Sequence, residues 1–160
     1  MKIGFFVAMI FFAALFTTAA SAQTTYTWNQ TGTAAWTTDT NWTPTRTTPA
    51  ANDILTTAGT NITLQSAGSV TLTIAGGAAT PDLEVGTGTS LSVTGVNAIQ
   101  ISLNPAATGS INGSVSLADG AHRLLSTTAS GITFNSGSTF TEGIGFSGNP
   151  FGTASLNSVV

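Results

Sequence analysis

Ser69-Val-Thr-Leu-Thr-Ile74, Asp82-Leu-Glu-Val85, Ser90-Leu-Ser-Val-Thr94 and Ala98-Ile-Gln-Ile-Ser-Leu103 decide the fold of this chain. Each is apolar at every second position, with Thr, Ser, Gln or Glu between. That is the period-two signature of a strand with one buried face. The same pattern occurs before this stretch in Asn61-Ile-Thr-Leu-Gln65, and after it in Ser114-Val-Ser-Leu117, Gly131-Ile-Thr-Phe134 and Ser138-Thr-Phe-Thr141. Gly, Asn and Ser separate the segments and supply turns. No helical i, i+3, i+4 spacing of any length competes.

Leu64, Leu72, Leu83, Leu91, Ile101 and Ile111 serve as core anchors. They recur at steps of roughly ten residues, the regular spacing of short strands in all-β folds. Strands of this length and spacing suit a β-solenoid or a β-sandwich. Short connectors and mutually similar strands favour the solenoid, with two or three strands in a coil of about 20 to 30 residues. Asn112-Gly113 and Asp119-Gly120 are the exceptions that carry hairpin chemistry. The expected fold is therefore all-β, a right-handed parallel β-helix, with a β-sandwich as the alternative.

Residues 1–22 read as a secretory signal peptide. Lys2 precedes an apolar run from Ile3 to Phe16, and Ala20-Ser21-Ala22 is a small-x-small cleavage site before Gln23. The run of roughly 14 residues is short for a bilayer core of about 30 Å. Export, to the cell surface or the medium, follows as the expectation, with membrane contact confined to the leader. Removal of the leader leaves Arg46 and Arg123 as the strong cations against six acids. So few cations exclude a nucleic-acid footprint and disfavour anionic membranes and acidic polysaccharides. The absence of cysteine excludes disulfide scaffolds and thiolate zinc sites.

Residues 23–57 hold Trp28, Trp36, Trp42 and Tyr26 and read as a capping region; residues 58–160 read as the solenoid repeats. Ser158-Val159-Val160 is apolar and strand-like without a polar cap, so the chain is expected to be the first part of a longer protein.

Tyr26-Thr-Trp28, Trp36, Asn41-Trp42, Pro44, Pro49 and Asn52-Asp53-Ile54, together with Gly148-Asn-Pro-Phe-Gly152 and Asn157-Ser-Val-Val160, carry a resemblance. The chain resembles the opening of large secreted β-helix surface proteins of the Bacteroidota, the kind that bear a C-terminal type IX sorting domain. Some autotransporter passengers share that opening. The resemblance implies a parallel β-helix at a Gram-negative cell surface, and no chemistry for named residues.

Trp28, Trp36 and Trp42 are the candidate binding residues, as an aromatic platform for sugar rings. Against this stands a plug over the first coil, which large aromatics suit because each buries about 150–250 Å². Asp82 and Glu84 lie two apart on one strand face, about 7 Å, a spacing within the range of glycosidase carboxylates. With Leu83 and Val85 inward, both acids are expected in solvent, without the perturbed environment that catalysis needs. Asp119, His122 and Arg123 suggest a triad, but no Gly-x-Ser-x-Gly elbow supplies a nucleophile, and a solvated turn is expected.

Thr71-x-Thr73, Thr87-x-Thr89 and Thr139-x-Thr141 would form an ice-binding ladder if they stacked. Asn29, Asn41, Asn61 and Asn112 begin glycosylation sequons that a Thr-rich chain produces by chance. Gly76-Gly77 lacks the remainder of a calcium repeat. No catalytic residue, metal or cofactor is expected. The expected role is a structural, adhesin-like surface protein contacting extracellular glycans or other surface proteins. A carbohydrate-binding or polysaccharide-processing β-helix and an ice-binding protein are the alternatives.

Overall fold

The computed structural model describes residues 24–30, 33, 34, 38–48, 53–57, 59, 61–74, 76 and 80–152. Its strands are β1 (Thr25–Trp28), β2 (Thr33–Ala34), β3 (Trp42–Thr43), β4 (Ile54–Thr56), β5 (Ile62–Leu64), β6 (Val70–Ile74) and β7 (Leu83–Val85). The series continues with β8 (Ser90–Val93), β9 (Ile99–Leu103), β10 (Gly109–Ile111), β11 (Ser114–Leu117), β12 (Arg123–Ser126), β13 (Ile132–Phe134) and β14 (Thr139–Glu142).

From β4 onward every third strand stacks on the one before it. The three sheets run β13-β10-β7-β4-β1-β3, β14-β11-β8-β5-β2 and β12-β9-β6; we call them A, B and C. Among the described residues all pairings are parallel except β1 with β3. This is a parallel β-solenoid of about four turns, and the parallel ladders rule out the antiparallel sandwich. Leu55, Leu83, Gly109 and Ile132 stack one above another in sheet A, each a full circuit of three strands from the last.

The period-two pattern becomes columns. Ile62, Leu91, Val115 and Phe140 superpose along sheet B, and Leu72, Ile101 and Leu124 along sheet C. All six anchor residues are buried. Fully burying such a side chain contributes roughly 1.5–3 kcal/mol, so one continuous aliphatic column holds successive coils in register. Toward the C-terminal side, Phe134, Phe140 and Phe151 meet edge to face or tilted, with ring centroids 4.8–6.1 Å apart.

Within residues 23–57, two of the described strands continue the stack of the coils. Thr25–Thr27 pair in parallel with Ile54–Thr56, and Leu55 pairs with Leu83, so β1 and β4 are ordinary rungs of sheet A. The capping element is β3, which closes the free edge of β1 in antiparallel sense, pairing Trp28 with Trp42. Arg46 secures the loop behind it. Its Nε donates to Asp53 Oδ2 at 2.8 Å, and its guanidinium lies 5.6 Å from the Tyr26 ring centroid. A parallel edge left open is a template for unwanted pairing, which β3 removes.

Candidate functional site

A coil that turns three corners leaves backbone groups at each corner that the ladders do not satisfy, and buried ones need other partners. Of the polar residues that look chemical in the sequence, Asp82, Asp119 and His122 sit at these corners, and Glu84 and Arg123 lie on strands.

Asp82 lies at the corner between sheets C and A with 0% exposure. Its Oδ2 accepts the Thr108 N–H at 2.8 Å, and its own N–H donates to the Thr108 carbonyl at 2.9 Å. This reciprocal clamp ties one coil to the next. The expectation that Asp82 is solvated is therefore corrected. The residue precedes β7 rather than sharing its alternation, and its carboxylate is spent on the neighbouring backbone. Glu84 lies on the outer face of β7, half-buried, and accepts from Thr56 Oγ1 at 3.1 Å. The two acids do not face a common cleft.

His122 corrects the second expectation. It is fully buried, not part of a solvated turn. Its Nδ1 accepts the Ile99 N–H at 3.1 Å, and Nε2 lies 2.9 Å from the Ala118 carbonyl, to which the Nε2–H tautomer donates. Leu124 points inward, and a residue two earlier shares its face, so His122 ends the column of Val70 and Ile99. Asp119 is exposed and accepts from Thr94 Oγ1 at 2.6 Å, and Arg123 lies on the outer face of β12. The three residues do not form a triad. Asp119, at φ 64°, and Gly120 make the corner between sheets B and C rather than a hairpin.

The corner between sheets A and B uses hydroxyls. Thr57 Oγ1 accepts the Gly86 N–H at 2.9 Å, Thr89 Oγ1 donates to the Gly86 carbonyl at 2.7 Å, and the two threonine hydroxyls bond to each other. At the same corner Asn61 Oδ1 accepts the Ser90 N–H, and Asn135 Nδ2 donates to Asn112 Oδ1, both at 2.9 Å. Asn112-Gly113 is thus also a corner, not a hairpin. Asn29 Nδ2 donates to the Thr40 carbonyl at 3.1 Å, and Asn41 is buried. The described sequon asparagines accordingly serve the framework.

For Trp28 and Trp42 the expected sugar platform is corrected as well. Trp28 and Trp42 are each 1% exposed and meet edge to face, ring centroids 5.1 Å apart. Neither presents an open indole face to a sugar ring. Trp36 lies outside the described residues, as do Ala22, Gln23 and the whole leader. Among the described residues no helix is long and apolar enough to cross a membrane, and no cluster of His, Asp and Glu converges as a metal site.

The threonine pairs do not stack on one another. Thr71 and Thr73 are in sheet C, Thr87 and Thr89 at a corner, and Thr139 and Thr141 in sheet B. A different array stands in their place. Thr63, Ser92, Ser116 and Thr141 form one outward column of sheet B, and Ser90, Ser114 and Thr139 form a second. Ser116 Oγ donates to Ser92 Oγ at 3.2 Å. Beside the second column runs a shallow polar groove of about 430 Å³ that also touches Asn61 and Asn112.

On sheet C, Thr71, Gln100 and Arg123 form an outward column over a second groove of about 320 Å³. The sequence hides these columns because successive members stand a whole coil apart. Compared with protein-family models, with curated proteins and with solved structures, the chain matches none.

Proposed function

We propose that the chain forms an exported, adhesin-like structural rod that acts by extended contact and performs no catalysis. The observation that carries this reading is the division of its polar groups. Asp82 and His122, the groups best suited to chemistry, are consumed by corner clamps, while the outward face of sheet B carries neutral hydroxyls in stacked columns. Export and a place at the cell surface rest on the composition of residues 1–22 and on the resemblance to secreted β-helix proteins of the Bacteroidota. Contacts spread over repeating coils favour multivalent binding, in which weak individual contacts add through high effective concentration. Display of the chain on a non-adherent cell tests the proposal. Attachment to glycan-coated or protein-coated surfaces is expected to rise and to survive Asp82→Asn. Attachment no greater than that of the undecorated cell would refute it.

The double hydroxyl column of sheet B supports a second reading, recognition of an ordered hydroxyl lattice such as ice. A thermal-hysteresis assay separates the two. Hysteresis abolished by Ser92→Tyr and Ser116→Tyr would favour the lattice reading, and its absence at millimolar protein would exclude it.

A further inference from the structure

The groove on sheet C combines a cation with a floor of small residues. Arg123, Gln100 and Thr71 stand in one register column on β12, β9 and β6. Two residues earlier in each coil are Ala121, Ala98 and Ser69, whose side chains are too short to fill the space beside that column. The result is a trough of about 320 Å³ across three coils. With parallel strands roughly 4.8 Å apart it runs about 10 Å along the solenoid axis. Arg123 is half-buried in its wall.

The charge in this trough is uncompensated. Among the described residues the ion pair is Arg46 with Asp53, and Arg123 has no carboxylate within salt-bridge distance. Asp119, the acid nearest in sequence, lies at the preceding corner with its Oδ2 accepting from Thr94. A guanidinium presents a planar fork of donors that matches a carboxylate in bidentate fashion. The Gln100 amide both donates and accepts, and the Thr71 hydroxyl does likewise, so the next two rungs suit hydroxyl groups. The methyl groups of Ala98 and Ala121 provide an apolar floor for the C–H face of a ring.

We propose that this trough binds a glycan laid along the solenoid axis, with the carboxylate of one acidic sugar on Arg123 and the hydroxyls of adjoining neutral sugars on Gln100 and Thr71. One cation in a chain of net charge −3 selects against dense charge. A polymer with a carboxylate on every residue would bring its remaining charges to a wall without partners, whereas a sparsely acidic glycan meets one partner with one charge. The site goes beyond the structural role proposed above, since a rod without this affinity remains a rod.

The test is calorimetric titration of the chain with three oligosaccharides of equal length. One carries a single uronic acid between neutral sugars, one is its carboxyl-reduced form, and one is uronic acid throughout. The single-uronate form is expected to bind about ten- to hundredfold tighter than the reduced form, the value of a charge-assisted hydrogen-bond pair. Arg123→Gln is expected to erase that preference, and Ala121→Leu, which fills the floor with the arginine intact, to weaken both ligands. Circular dichroism identifies any variant that fails to fold, and the other variant then decides. Equal binding of the acidic and reduced forms, a preference that persists in folded Arg123→Gln, or tightest binding by the fully acidic oligomer would overturn the proposal.

Discussion

Replacing His122 with phenylalanine tests whether the corner clamps hold the coils together. The change leaves a flat ring of similar reach but removes both ring nitrogens. The Ile99 N–H, 3.1 Å from Nδ1, and the Ala118 carbonyl, 2.9 Å from Nε2, then lose their partners. His122 has 0% exposure, so water cannot replace the imidazole without opening the corner. An orphaned buried donor or acceptor costs about 1–3 kcal/mol, which places His122→Phe at roughly 2–6 kcal/mol for the two. His122→Gln retains a donor and an acceptor on one side chain and is expected to lose about half as much or less. Urea unfolding followed by circular dichroism measures the difference as a shift in midpoint at unchanged slope. Hydrogen exchange at the Ile99 amide localises it, with protection falling there before it falls in β8. If His122→Phe stays within about 0.5 kcal/mol of the parent, the value for a surface change, and Ile99 keeps its protection, the clamp is not structural.

Three further substitutions probe the same architecture. Gly113→Ala would drive its Cβ into the carbonyl oxygens of Thr89 and Gly86, which are backbone atoms that cannot swing aside, so a loss of at least about 2 kcal/mol is expected in urea melts. Asp82→Ala orphans the Thr108 N–H and is expected to cost about 1–3 kcal/mol, whereas Asp82→Asn, which keeps an acceptor oxygen, costs less; equal losses would show that charge and not the clamp matters. Trp28→Ala empties a buried position beside Trp42 and is expected to cost about 3–5 kcal/mol, while acrylamide quenching in a Trp36→Phe background should report two shielded indoles in the parent.

The strands are legible in the sequence because their signal is local. Ser114–Leu117 has the boundaries expected, and β5, β7, β8 and β9 lie inside the expected segments. β12 is hidden because Asp119-Gly120 draws the whole of Ala118 to Leu124 into a turn. The alternation of Leu124 with His122 is nevertheless present, and it carries the information that His122 faces inward. β1 and β4 are hidden for a different reason. The aromatic residues set residues 23–57 apart in composition, although Tyr26 and Leu55 occupy ordinary core positions of sheet A. The alternation of Leu83 and Val85 points Asp82 to solvent, but that rule does not reach past the strand end into a corner.

The amino-acid sequence by itself determined that the chain is all-β and which six aliphatic anchors its core contains, because burying one face of a strand requires alternation between neighbours in the chain; that three strands make each coil was decided by the stacking. The sequence also determined the poverty of cations, which is a property of composition. Only the tertiary structure decided what each outward residue stands beside. Thr71, Gln100 and Arg123 became one wall, and Asp82 and Thr108 one clamp, because stacking adds contacts at the length of a coil. That length is not constant: the step from Leu55 to Leu83 is longer than the step from Gly109 to Ile132. A repeat of varying length leaves no fixed interval to read, so the partners are set by the stacking of aliphatic columns and not by any local pattern.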